Sequence, residues 1–196
     1  MGKLRVIGGE WKGLPLSSPP GSALRPTSGR VREALFDILG GGIAGARFLD
    51  LFAGTGAVGI EALSRGAARC LFVEKDGRAV AAIRRNLEAG RFGPRGVVIE
   101  GNLPGALSRI PRGEAFELVF VDPPYGGPQG EETLRALGRI GSLPAGCRVI
   151  LEHRKSWEPP IRRGSLILRR SARYGDTVLS FFIKGDGEAA GSGGVV

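Results

Sequence analysis

Five short apolar runs, at 47–51, 70–74, 97–100, 116–121 and 148–152, recur through the chain, and helical spacing fills the intervals at about 57–65, 77–89, 103–109 and 131–140. Strands alternating with helices predict βαβ units, because parallel neighbours must be joined by a crossover that returns along the sheet. The runs are apolar almost throughout, as expected of a parallel sheet covered on both faces. The pattern changes towards the end, where 165–170 and 177–183, joined across Arg173-Tyr174-Gly175-Asp176, read as a hairpin. A smaller hairpin is predicted at 4–7 and 13–16. Thr27 or Ser28 can cap a helix whose Val31, Ala34, Leu35, Ile38 and Leu39 form one stripe, stopped by Gly40-Gly41-Gly42. The expected class is α/β.

At 196 residues and 42% hydrophobic the chain fits a single domain with a proper core. The expected division is an N-terminal extension over 1–35, a core over 36–184, and a disordered Gly/Ala-rich tail over 185–196. No segment approaches the apolar length of a membrane span, and no long apolar run follows the N-terminus. Cys70 and Cys147 sit in apolar surroundings without a CxxC pair, and His153 is the only histidine. Buried reduced thiols, no metal site, and a cytoplasmic, monomeric protein are the expectation.

The net charge of +9 is unevenly placed. Residues 1–35 carry six Lys/Arg against Glu10 and Glu33, and residues 154–173 carry seven against Glu158, around a nearly neutral centre. Two basic flanks point to a polyanionic partner through counterion release, whereas a single charge run would read as a solvated face.

The first apolar run leads into Asp50-Leu51-Phe52-Ala53-Gly54-Thr55-Gly56-Ala57-Val58-Gly59. Glycines let backbone approach a ligand, and the following helix presents free N–H groups. With Glu74 twenty residues past Gly54, at the end of the next run, the pattern suits an adenosine cofactor whose ribose hydroxyls an acid accepts. Asp50 separates the candidates. A carboxylate there would repel a pyrophosphate, but suits the cationic amino-acid end of S-adenosylmethionine.

The fourth run ends in Asp122-Pro123-Pro124-Tyr125. The prolines fix the backbone and remove N–H donors, which leaves carbonyls free to accept. An exocyclic base amine is a poor nucleophile because its lone pair is delocalised into the ring. Asp122 and the Pro123 carbonyl can each accept an N–H and so orient that nitrogen, and Tyr125 offers a face for a base taken out of its stack. If the strand order reverses between the first and fourth sheet strands, this tetrapeptide and the glycine turn open into one crevice.

With these residues in view, the chain resembles the bacterial 16S ribosomal RNA guanine-N2 methyltransferase family over residues 4–183. The resemblance rests on Arg5-Val6-Ile7-Gly8-Gly9 with Trp11 and Gly13, on the stretch from Arg25-Pro26-Thr27 to Phe36, on 49–67, on Asp122-Pro123-Pro124-Tyr125 and on Tyr174-Gly175-Asp176-Thr177. It implies a class I S-adenosylmethionine-dependent methyltransferase fold, Rossmann-like, with a mostly parallel seven-stranded sheet whose last strand is antiparallel and a small N-terminal β-hairpin extension. It implies methylation of a guanine N2 amine in 16S rRNA or the small ribosomal subunit. By position, Asp50, Phe52, Ala53, Gly54, Thr55 and Gly56 would cradle the methionine end, Glu74 the ribose, and Lys75, Asn102 and Leu103 the adenine. Asp122, Pro123 and Tyr125 would serve the reaction, and Lys12, Arg25, Arg30 and Arg32 would meet RNA. Gly29 stands where the family commonly has an acid, and Asn102 where it often has Asp; the amide oxygen can still accept from adenine.

Other readings stay open on the residues alone. Adenine-N6 methylation of DNA would use Asp122-Pro123-Pro124-Tyr125 equally well. A nicotinamide-dependent dehydrogenase would explain the glycines and Glu74 but not that tetrapeptide. A non-catalytic RNA-binding assembly factor would leave the motif residues without work. His153 and Trp157 read as structural.

Overall fold

The computed structural model describes residues 4–19, 27–111, 113–124, 126–140 and 143–186. After helix α1 (Gly29–Leu39), strands β1 (Arg47–Leu51), β2 (Arg69–Glu74), β3 (Gly96–Glu100), β4 (Leu118–Val121) and β5 (Arg148–Arg154) run parallel, with α2 (Ala57–Ser64), α3 (Gly77–Ala89) and α4 (Gln129–Leu137) among the connections. The segment between β3 and β4 forms only a short 3-10 turn, Gly105–Arg109, where the spacing predicts a helix. Then β6 (Arg162–Arg163), β7 (Leu166–Tyr174) and β8 (Thr177–Lys184) complete one sheet in the order β3-β2-β1-β4-β5-β8-β7-β6. The final strand is antiparallel to β5, as expected. The sheet has eight strands rather than seven. The additional one is the two-residue β6, which pairs with the otherwise open edge of β7, where Leu168 N–H also donates to the Ile161 carbonyl at 2.8 Å.

Strand residues alternate between two cores. Phe48, Cys70, Phe72, Leu118, Phe120 and Ile150 face one side, under α1 and α2. Leu49, Leu71, Val73, Val119, Val121 and Leu151 face the other, with Leu134 and Leu137 of α4. Successive side chains point to opposite faces, so apolar runs are what a doubly covered sheet requires. Helix α2 has all eight residues buried, wedged between the sheet and the N-terminal segment.

Burial of α2 leaves Glu61 fully inside, and the fold surrounds it with donors. Its carboxylate accepts from Ile7 N–H at 2.8 Å, Gly8 N–H at 2.7 Å and Arg65 Nε at 2.8 Å, and lies 3.6 Å from Arg32 Nε. This pins the N-terminal hairpin to α2. The hairpin itself is thin, with one antiparallel bridge between Arg5 and Pro15. Arg32 is only 2% exposed, and its guanidinium also donates to the Arg5 carbonyl. The expectation that Arg32 meets RNA is therefore corrected: one turn into α1 its side chain points inward, and Glu61 holds it there. Ser28, not Thr27, caps α1 by accepting from Val31 N–H at 3.2 Å.

Both cysteines are free and buried. Among the described residues no helix is long and apolar enough to cross a membrane. Arg25, Tyr125 and residues 187–196 lie outside the described residues, so the roles expected of the first two and the disorder expected of the tail have no structural counterpart here.

Candidate active site

The sheet order reverses between β1 and β4, which sends the connections that follow them to opposite sides and opens a crevice at their carboxyl ends. The turn after β1 is built on left-handed backbone, with φ of 60° at Phe52, 55° at Gly54 and 74° at Gly56. Gly56 is the N-cap of α2 and has no side chain to offer. Asp50 supplies the missing acceptor from β1, taking the Gly59 N–H at 2.8 Å. Gly59 must lack a Cβ: one placed there would lie 2.3 Å from the Phe72 ring and 2.6 Å from Cys70 Sγ. The third glycine of the pattern thus lets α2 lie against β2.

Asp50 is 2% exposed, and its carboxyl is pushed up to about 8, first by burial and then by the charge of Glu74, with the Gly59 N–H opposing. Glu74 ends β2 and clasps the turn. One oxygen accepts from Gly54 N–H at 2.8 Å, and the other from Lys75 N–H at 2.8 Å and Asp76 N–H at 2.9 Å. A carboxylate has about four acceptor positions, so the acid that shapes the turn keeps capacity for a ligand hydroxyl.

Across the crevice, Asp122 follows β4. Thr27 Oγ1 lies 3.3 Å from Asp122 Oδ2 and 3.1 Å from Glu152 Oε2. Burial and then the neighbouring Glu152 raise the Asp122 carboxyl well above the usual carboxylate range, against the Thr27 hydroxyl. Sequence reasoning saw Thr27 as a possible cap and as part of the stretch that carries the resemblance, gave it no contact with Asp122, and did not single out Glu152. The signal was present in the strand period: Asp50, Asp122 and Glu152 share the parity of Phe48, Phe120 and Ile150, so all three acids belong to one face of the sheet.

One cavity of about 360 Å³ joins the two sides. Asp50, Phe52, Ala53, Gly54 and Thr55 line it from the turn, Glu74, Lys75, Asn102 and Leu103 from the ends of β2 and β3, and Asp122, Pro123 and Pro124 from beyond β4. Gly56, expected at the methionine end, is the N-cap of α2 and is not among the residues that line this cavity. A second cavity of about 510 Å³ shares Pro123 and Pro124 as walls and is otherwise lined by Glu152, His153 and Trp157, among others. His153 is buried and hydrogen-bonded through both ring nitrogens. Its Nδ1 must donate to the Arg154 carbonyl at 2.9 Å, which leaves Nε2 to accept from Ser180 at 2.8 Å. Of the residues expected at an RNA surface, Lys12 and Arg30 are exposed.

Known proteins are similar to this chain over most of its length. A Bacillus subtilis (strain 168) protein named "Putative rRNA methyltransferase YlbH" is 34% identical over 182 residues, covering 92% of this chain and 99% of that protein. "Ribosomal RNA small subunit methyltransferase D" of Escherichia coli (strain K12) is 41% identical over 142 residues, covering 72% and 70%. The solved structure of "Putative methyltransferase yhhF from Escherichia coli" superposes with a TM-score of 0.81 at 34% identity, covering 94% of this chain and 99% of that one. The family described as Conserved hypothetical protein 95 matches residues 4–183, from the N-terminal hairpin through β8, and the chain belongs to it.

Proposed function

We propose that the chain methylates the exocyclic N2 amine of a guanine in the 16S ribosomal RNA of the small subunit, with S-adenosylmethionine as donor. The observation that carries the reading is the single cavity shared by the glycine turn and Asp122-Pro123. Its residues fit the cofactor. Asp50 is a buried acid that lies near the charge of Glu74 and accepts the Gly59 N–H, and a ligand ammonium would suit it. When bound, S-adenosylmethionine supplies an electrophilic methyl group on a positively charged sulfur.

The chain's own residues do the rest. Asp50 would hold the amino-acid end, Glu74 a ribose hydroxyl, and Asn102, Leu103 and Lys75 the adenine. Asp122 and the Pro123 carbonyl would accept the two N–H bonds of the target amine, which turns the nitrogen lone pair towards the methyl, and Asp122 would take the proton that the nitrogen sheds. Tyr125 would stack on the base. Lys12, Arg25 and Arg30 would meet the phosphate backbone. The relatives named for ribosomal RNA and small-subunit methylation support the substrate class.

Radiolabelled methyl transfer to small ribosomal subunits, naked 16S rRNA and duplex DNA tests this, with mass spectrometry of the modified nucleotide. N2-methylguanine in RNA is the expected product. Label confined to DNA adenine would replace the reading.

A further inference from the structure

A row of acids crosses the carboxyl ends of three adjacent strands, and the cofactor accounts for only the first of them. Asp50 caps α2 and faces the cofactor side. Asp122 and Glu152 follow directly on the paired residues Val121 and Leu151 of β4 and β5, so the two strands present them side by side. Glu152 is 3% exposed and reaches the same Thr27 hydroxyl as Asp122. That hydroxyl has one hydrogen to give and two carboxylates to serve. Glu152 also lines the second cavity, two of whose other walls, Pro123 and Pro124, belong to the proposed amine-binding turn. Among the described residues no group of three or more acids, histidines or cysteines is arranged to hold a metal ion.

We infer that Glu152 is the residue that selects guanine, by accepting the ring N1–H while Asp122 and Pro123 accept the adjacent N2 amine. This rests on the function proposed above and names what decides the base. The argument is one of matching donors to acceptors. Guanine presents two neighbouring donor groups on this edge, N1–H and the N2 amine. Adenine presents an amine beside an unprotonated ring nitrogen, and so does cytosine. Two adjacent buried carboxylates suit the first pattern and set a lone pair against a carboxylate in the other two. In a dry site a missing donor leaves a buried acceptor unpaired, which discriminates far more strongly than shape alone. Thr27 holds the two acids in register until the base supplies its own hydrogens.

The test uses the full chain and small-subunit RNA whose target position carries guanine or 2-aminopurine, which keeps the N2 amine and replaces N1–H with an acceptor. The wild type is expected to methylate guanine with kcat/KM at least about a hundredfold above 2-aminopurine. In Glu152→Gln, whose amide can donate to that nitrogen, the preference is expected to shrink by at least about tenfold, with binding of S-adenosylhomocysteine retained. Should that variant not fold, Glu152→Asp keeps the charge and is expected to keep the preference at a lower kcat. Guanine methylation with an unchanged preference in Glu152→Gln, or a lost preference in Glu152→Asp, would overturn the assignment of Glu152 alone. A wild type that methylates no guanine would instead remove the function on which it rests.

Discussion

The carboxyl of Asp50 has two claims on it, the Gly59 N–H at the start of α2 and the space of the cavity. Its raised value near 8 means that the ligand-free protein holds a proton there that the unfolded chain, with an ordinary value of 3.8, releases. Asp50 therefore favours the folded state at low pH and loses that contribution as pH rises from about 4 towards 8. An ammonium placed against it reverses the preference. Binding of S-adenosylhomocysteine at pH 7 should release close to one proton, read by calorimetry in two buffers of different ionisation enthalpy; a heat that does not depend on the buffer would contradict the assignment. Asp122 shifts in the same direction but serves the acceptor. Its ionised form is the better acceptor of amine hydrogens, so kcat/KM should fall as pH drops through a value above the usual carboxylate range. Asp122→Ala should cost roughly 10²–10⁴ in turnover while cofactor binding persists. Unchanged turnover in that variant would remove Asp122 from the reaction.

At the scale of elements, α2 is the piece on which the site depends. Its N-terminus carries the glycine turn, its face lies against β2 through Gly59, and its one charged residue fastens the N-terminal hairpin. Glu61→Ala would leave Arg32 buried without its counter-charge, which should cost about 3–5 kcal/mol in urea denaturation. Gly59→Ala should cost about 1–3 kcal/mol, because Phe72 and Cys70 leave no room for a methyl group. A variant as stable as the parent would show that α2 can shift off the sheet freely. The strands β1, β2, β3 and β5 begin within a residue of where their apolar runs do; in β1, β2 and β5 burial on both faces leaves a mark at nearly every position, while the half-buried edge strand β3 is apolar at Val97, Val98 and Ile99. The helix expected at 103–109 is a 3-10 turn, and β6 was missed. A two-residue strand has no periodicity of its own and exists because β7 offers it an edge.

For the whole molecule, the basic flanks lie in the N-terminal segment and in the β6–β7 region, on either side of a nearly neutral centre in sequence. If RNA binds through phosphate contacts, affinity must fall with salt in proportion to their number. Replacing Lys12 and Arg30 together by Ala should lower the slope of log K against log salt by about 1.5, at roughly 0.7–0.9 per contact. A slope unchanged by the double substitution would move the RNA surface elsewhere. Arg32 shows why a residue count overstates such a surface: it adds to the basic flank in sequence but is neutralised inside the fold by Glu61.

The sequence by itself determined the α/β class, the strand order of events along the chain, the glycine turn and the acidic tetrapeptide, because each is local and rests on period, turn chemistry or backbone restriction. The tertiary structure alone decided three things. It brought Asp50 and Asp122 to one cavity, it turned Arg32 inward, and it set Glu152 beside Asp122 under one hydroxyl. Those outcomes depend on which segments become neighbours across roughly 30 to 70 residues of chain, and side-chain chemistry carries no record of its partner until the sheet has formed.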